Sequence, residues 1–315
     1  MRNTFAKAFY EIARQDPRLY LVVADISPVA SAEAFQKEHP ERFINVGVAE
    51  QVMTGVAAGL ALRGCIPFTY TISTFTIYRP FEMVRVDCCY QNLPVKMVGI
   101  GGGVTYSTLG GTHHTQEDIA IMSALPNLTI LAPCDPAETI AATRAAVEIP
   151  GPVYLRLGKA GEPDLTANAP DAFAAGKVRF IKQGRDMCLL SYGPITKMAV
   201  DIAARLESEK NLSVAVVSVH TLKPLDHSGI ASILAKFPAV GVIEEHSCIG
   251  GLAAQVKQIA WDSQARCRLK TYSLKDEFIH FYGSQRELWA EHGLREDRIF
   301  SELAALQHAA PHGTP

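Results

Sequence analysis

The sequence predicts an α/β protein of two domains, each built on a mainly parallel sheet. Three observations carry this: a length of 315 residues, a 48% hydrophobic and 20% charged composition, and short valine- and isoleucine-rich runs alternating with longer stretches of helical period. In the first domain (1–160) the strands are expected at 19–24, 43–46, 66–71, 95–100, 128–132 and 153–157, with helices between them. Asp135-Pro136-Ala137-Glu138 announces one helix start, with an acid at the cap, proline at the first helical position and a capping-box glutamate. Thr115-Gln116-Glu117-Asp118 suggests another. From Lys159 to Asp171 the period is lost and Gly161, Pro163 and Pro170 collect, so 161–184 reads as a connection. The second domain (185–315) is expected to place strands at 187–191, 213–219, 239–244 and 268–272 and helices near 195–207 and 251–261.

A net charge of -2 without a long basic run offers no field for nucleic acid or an anionic membrane. No apolar run approaches the roughly 18 residues of a membrane helix and the start lacks an apolar signal segment, so a cytoplasmic protein acting on small molecules is expected. The seven cysteines include no C-x-x-C pair and read as reduced packing residues.

Gly99-Ile100-Gly101-Gly102-Gly103 follows a strand, yet it lacks the third glycine of a dinucleotide fingerprint and opens no helix, so it reads as a close-packed strand exit. The helix 52–62 is apolar on nearly every side, with Gly55 and Gly59 spaced for close approach by another backbone, and is expected to be buried, at a subunit contact. Glu50 falls in its first turn. It reads equally as a carboxylate favoured by the helix dipole or as a half-buried acid able to share a proton with a ligand. Ser73-Thr74-Phe75-Thr76-Ile77-Tyr78 brings two aromatics to a strand end, where core packing and a cofactor platform both remain open. Gly110-Gly111-Thr112-His113-His114 sets a histidine in a glycine-rich loop, either solvated or aimed at a substrate.

In this order, A-E-Q at a helix start (Ala49-Glu50-Gln51), S-T-F with an aromatic three residues later, and G-x-T-H (Gly110 to His113), the chain resembles the C-terminal half of transketolase. The second domain, with Leu222-Lys223-Pro224-Leu225-Asp226 and Glu244-Glu245-His246-Ser247-Cys248-Ile249-Gly250-Gly251, is similar to that family's C-terminal domain. The resemblance implies thiamine diphosphate as cofactor, bound at a subunit interface, with its diphosphate and Mg2+ held by another domain that carries a G-D-G motif. No G-D-G occurs here. The chain is therefore expected to be the small subunit of a split transketolase. Its partner would be an N-terminal, diphosphate-binding subunit, in an α2β2 heterotetramer around a small-chain homodimer.

By the same resemblance, Glu50 is the glutamate that hydrogen-bonds the pyrimidine ring nitrogen. Phe75 and Tyr78 are the aromatics packed on that ring, and Asp25 lies on the cofactor's far side. His113, Arg156 and Arg2 fall at substrate positions, the arginines suiting a phosphate. Leu109 replaces an aspartate, Gly101 a histidine and Val29 a serine of the family pattern, which points to an unusual anionic sugar. The neighbouring readings are a 1-deoxyxylulose-5-phosphate synthase, a 2-oxoacid dehydrogenase β subunit and a non-catalytic paralogue.

Overall fold

The computed structural model describes residues 1–26 and 31–306, so Val29 lies outside the described residues. The first half runs α1 (Arg2–Ala13), β1 (Leu19–Val23), α2 (Ser31–Glu38), β2 (Phe43–Asn45), α3 (Glu50–Leu62), β3 (Ile66–Ile72), α4 (Ser73–Ile77) and α5 (Phe81–Met83). The last leads into a π-helical turn (Val84–Tyr90), followed by β4 (Lys96–Ile100), α6 (Asp118–Ser123), β5 (Thr129–Leu131), α7 (Pro136–Glu148) and β6 (Val153–Leu157). The second half runs β7 (Arg179–Lys182), β8 (Met187–Ser191), α8 (Thr196–Lys210), β9 (Val214–Ser218), β10 (Thr221–Lys223), α9 (His227–Lys236), β11 (Ala239–Ser247), α10 (Leu252–Asp262), β12 (Arg268–Leu274), α11 (Gln285–Glu291) and α12 (Glu296–Leu306).

Two parallel-dominated sheets result, one of order β10-β5-β6-β4-β3-β1-β2 and one of order β12-β11-β8-β9-β7. Their central strands β4, β6, β8 and β9 are buried at every position, as expected of strands covered on both faces by crossover helices. Burial at every position also explains how Lys96 is accommodated: its ammonium donates to the Ile149 and Gly151 carbonyls, and burial pushes its pKa down to about 7.

Two strands depart from the expected plan. β7 lies inside the stretch read as a connection and pairs antiparallel to β9 at the sheet edge. β10, from the second half, crosses over to pair antiparallel with β5 of the first sheet. One apolar core consequently runs through both halves, joining Met97, Ile119 and Ile130 to Cys188, Val217 and Val240.

The helix starts are also refined. Asp135 caps α7 by accepting from the Glu138 N–H at 2.7 Å, but the Glu138 carboxylate turns to the Cys134 N–H instead of closing the box. α6 begins at Asp118 without a side-chain cap, because Thr115 is drawn into a bridge with Gly103 and its hydroxyl meets Thr74 at 3.0 Å. The helix expected to be buried at a subunit contact, α3, buries only one face in this chain: Val52 is 53% and Leu62 62% exposed, and among the described residues nothing lies within 4 Å of where a Cβ at Gly55 or Gly59 would stand.

Candidate active site

The carboxyl ends of the parallel strands gather the candidate residues, as open α/β sheets do with their ligands. Asp25 follows β1, Glu50 follows β2, Phe75 and Tyr78 follow β3, His113 lies between β4 and α6, and Arg156 closes β6. Arg2 opens α1 and reaches the same rim, its backbone N–H donating to the Lys159 carbonyl at 3.3 Å.

Glu50 is the first residue of α3 and 4% exposed. A carboxylate so placed gains from the helix N-terminus but needs a further partner to offset its lost hydration. Arg79 supplies it: one terminal guanidinium nitrogen donates to both Glu50 carboxylate oxygens at 2.9 Å, while the side chain stays 47% exposed. The same guanidinium lies over the Phe75 ring, 4.2 Å from its centroid. Phe75 meets His113 edge-on at 5.1 Å, so Glu50, Arg79, Phe75 and His113 form one contiguous group.

His113 is held through its ring nitrogen at 2.9 Å from the Thr112 hydroxyl. Partial burial lowers its pKa, helped by the Arg79 charge, which favours the neutral imidazole. Tyr78 turns elsewhere: its hydroxyl donates to Glu117 at 2.5 Å, and burial pushes its pKa well up, keeping the phenol protonated. Phe75 therefore presents its ring to the charged group, while Tyr78 packs against the core and fixes the β4–α6 loop from below.

Asp25 and Arg156 also stand apart from this group. Asp25 is exposed at φ 55°, and its N–H donates to the Asn45 side chain at 3.2 Å. Arg156 is 2% exposed and works as an internal tie: its Nε donates to Asp118 at 2.8 Å and its Nη2 to the Glu245 carbonyl at 3.1 Å, across the two halves. Tyr154 donates to the same Asp118 oxygen at 2.8 Å.

Sequence reasoning missed Arg79, Glu117 and Asp118. Arg79 had a usable signal, a charge in an otherwise uncharged strand exit directly after the second aromatic.

Residues 1–161 match the transketolase pyrimidine binding domain, and residues 176–299 match the transketolase C-terminal domain. The chain belongs to the transketolase family. A subunit of the apulose-4-phosphate transketolase of Phocaeicola vulgatus is 33% identical over 298 residues, 95% of this chain and 94% of that one. A 6-deoxy-6-sulfo-D-fructose transketolase subunit from a Clostridium species is 36% identical over 255 residues, covering 81% of this chain and 78% of that one. Among solved structures, a split gene transketolase described as an inactive beta4 tetramer superimposes with a TM-score of 0.84 at 33% identity, over 97% of this chain and 98% of that one. These relatives, matched over most of their own length, are transketolase subunits, and this chain is of transketolase-subunit type.

Proposed function

We propose that this chain is the pyrimidine-binding subunit of a thiamine diphosphate-dependent split transketolase, moving a two-carbon ketol unit from an anionic ketose to an aldose. The observation that carries the reading is the Glu50–Arg79–Phe75 group. A flat, nitrogen-bearing cation already sits on Phe75 and donates to Glu50. The pair is therefore built to receive a planar heterocycle with a ring nitrogen facing the carboxylate, which is what an aminopyrimidine presents. In this reading Arg79 holds the place and yields it.

Bound thiamine diphosphate supplies the carbon nucleophile and the electron sink. Glu50 shares a proton with the pyrimidine ring nitrogen, a task suited to a carboxylate shielded from water on the helix dipole. Phe75 fixes the ring plane, and the Tyr78–Glu117 bond holds the loop that carries His113. His113, kept neutral, can accept from or donate to a sugar hydroxyl. Asp25, exposed on the next strand end, is assigned to the cofactor from a neighbouring subunit. Arg2 is assigned to the anionic end of the sugar. Arg156 acts on the site only by tying the two halves together.

Mg2+ and the diphosphate fall to the partner subunit. The outward face of α3 supports dependence on other subunits, since Val52 and Leu62 stand exposed and, among the described residues, no other element comes within 4 Å of where a Cβ at Gly55 or Gly59 would stand. A relative described as an inactive beta4 tetramer agrees with it. The substrate class draws on the names of two relatives, both denoting sugars with an anionic group.

The test is Glu50→Gln in the reconstituted pair. Assembly should persist while kcat/KM falls about 10²- to 10⁴-fold, the range of a lost general acid–base group. A near-normal rate would remove Glu50 from the mechanism.

A further inference from the structure

The β4–α6 connection opens with Gly101 at φ 76°, in the left-handed region that favours glycine. The room a side chain would take there is occupied: a Cβ on Gly101 would stand 2.2 Å from a ring carbon of Tyr106. Tyr106 has thus folded back from further along the same connection to fill the strand exit, half-buried.

What surrounds its ring is informative. On one side it meets His113, with centroids 6.1 Å apart, and His113 in turn touches Phe75. The Lys159 ammonium lies over it, 4.9 Å from the ring centroid. Lys159 follows β6 and is tied by its carbonyl to the backbone of Arg2, whose charge acts on the Tyr106 hydroxyl and opposes the rise that burial imposes on its pKa. Neither Arg2 nor Lys159 has a carboxylate partner among the described residues, and the Arg2 Nε is buried without a hydrogen bond. Such cations beside a phenol with no hydrogen-bond partner among the described residues are a receptor for an anion that also accepts hydrogen bonds.

We propose that Tyr106, together with Lys159, is a specificity-determining element of the substrate channel, its ring narrowing the passage beside His113 and its hydroxyl donating to the anionic group of the sugar. This rests on the transketolase reading for the direction in which the sugar lies, from Glu50 and Phe75 through His113 to Tyr106. The juxtaposition of ring, hydroxyl and unpaired ammonium is a property of the chain itself. A phosphate or sulfonate satisfies both donors, whereas a neutral hydroxymethyl end satisfies one and leaves the ammonium unpaired.

The experiment compares equilibrium binding of D-ribose 5-phosphate and D-ribose, by titration calorimetry, to the full chain and to its Tyr106→Phe and Lys159→Met variants. The native chain should prefer the phosphate. Tyr106→Phe keeps the ring in place and should weaken phosphate binding about five- to tenfold, the loss expected for one hydrogen bond to a charged acceptor. Lys159→Met should weaken it comparably with D-ribose binding unchanged, Tyr106→Phe should weaken D-ribose binding by less than it weakens phosphate binding, and the unfolding midpoints of both variants should be preserved. Equal affinity of the native chain for the two sugars, or variants that retain the native preference, would overturn the assignment. Ketol transfer is measured separately on the chain mixed with its partner: if the reconstituted pair transfers no ketol unit while the phosphate preference and its loss in the variants persist, the transferase reading fails and this one stands.

Discussion

Replacing Arg79 by leucine separates two roles that the structure lets one side chain combine. The guanidinium bonds both oxygens of Glu50 and lies 4.2 Å from the Phe75 centroid, the two surfaces assigned to the pyrimidine. If Arg79 holds that place in the absence of cofactor, binding must displace it. With the side chain 47% exposed, the ion pair is screened and contributes about 1 kcal/mol, and the ring contact about 0.5 kcal/mol more. Removing that competition should tighten Mg2+–thiamine diphosphate binding by about 1.5 kcal/mol, roughly tenfold in Kd. The same change strips a buried carboxylate of its partner, so the variant chain should lose about 1–2 kcal/mol of stability in urea unfolding. Titration calorimetry on the reconstituted complex reads the first effect. Arg79→Leu binding the cofactor more weakly than the native protein would refute the displacement argument and make Arg79 a holder of the ring.

Three further outcomes follow from the buried titratable groups. Arg156→Met leaves Asp118 buried beside Tyr154 with its cation gone and should cost about 3–5 kcal/mol in denaturant unfolding; a change below about 1 kcal/mol would show that the tie contributes little. Burial pushes His220, stacked on Phe173 at 4.0 Å, down to about 4, with the Arg179 charge adding to it. Its pKa is thus lower folded than unfolded, so the unfolded chain takes up its proton first. Stability from this residue is complete above pH 6.5 and is lost as pH falls toward 4, by roughly 3 kcal/mol. His220→Phe should flatten that part of the stability profile, and an unchanged slope would contradict the assignment. Glu138, buried under Arg179 at 3.2 Å and accepting from Ser218 at 2.9 Å, should tolerate Gln better than Ala, because Gln retains an acceptor for Ser218; equal destabilisation by both would show that the hydrogen bond is immaterial.

Much of the fold was legible because parallel strands covered on both faces must be continuous apolar runs, and these stand out at 153–157 and 187–191, where observed and expected strands coincide. Edge strands carry no such signature. β7 is four residues with an alternating pattern, and β10 is three residues whose partner lies 90 positions earlier in the chain, a pairing that no local period encodes. The apolar character of α3 was legible, but not which of its faces this chain covers by itself. Val52 and Leu62 look like core residues in sequence, and only the folded chain shows that they stand exposed in it.

The site was read unevenly in the same way. Glu50, Phe75 and His113 fall at strand ends, where sequence position predicts convergence, and they do converge. Arg79 and Tyr106 matter through contacts with residues 29 and 53 positions away, Glu50 and Lys159, which only the tertiary structure reveals. Arg156 was expected at a substrate position from the resemblance to transketolase. What the sequence did not show is its burial against Asp118, where it ties the two halves together.

If this chain carries half of a cofactor site, as proposed, it is inactive by itself. Ketol transfer should be assayed with Mg2+ and thiamine diphosphate on this chain alone, on a partner chain bearing the G-D-G motif alone, and on their mixture. Turnover is expected only in the mixture, saturating at equal numbers of the two chains. Robust turnover by this chain alone would contradict the half-site.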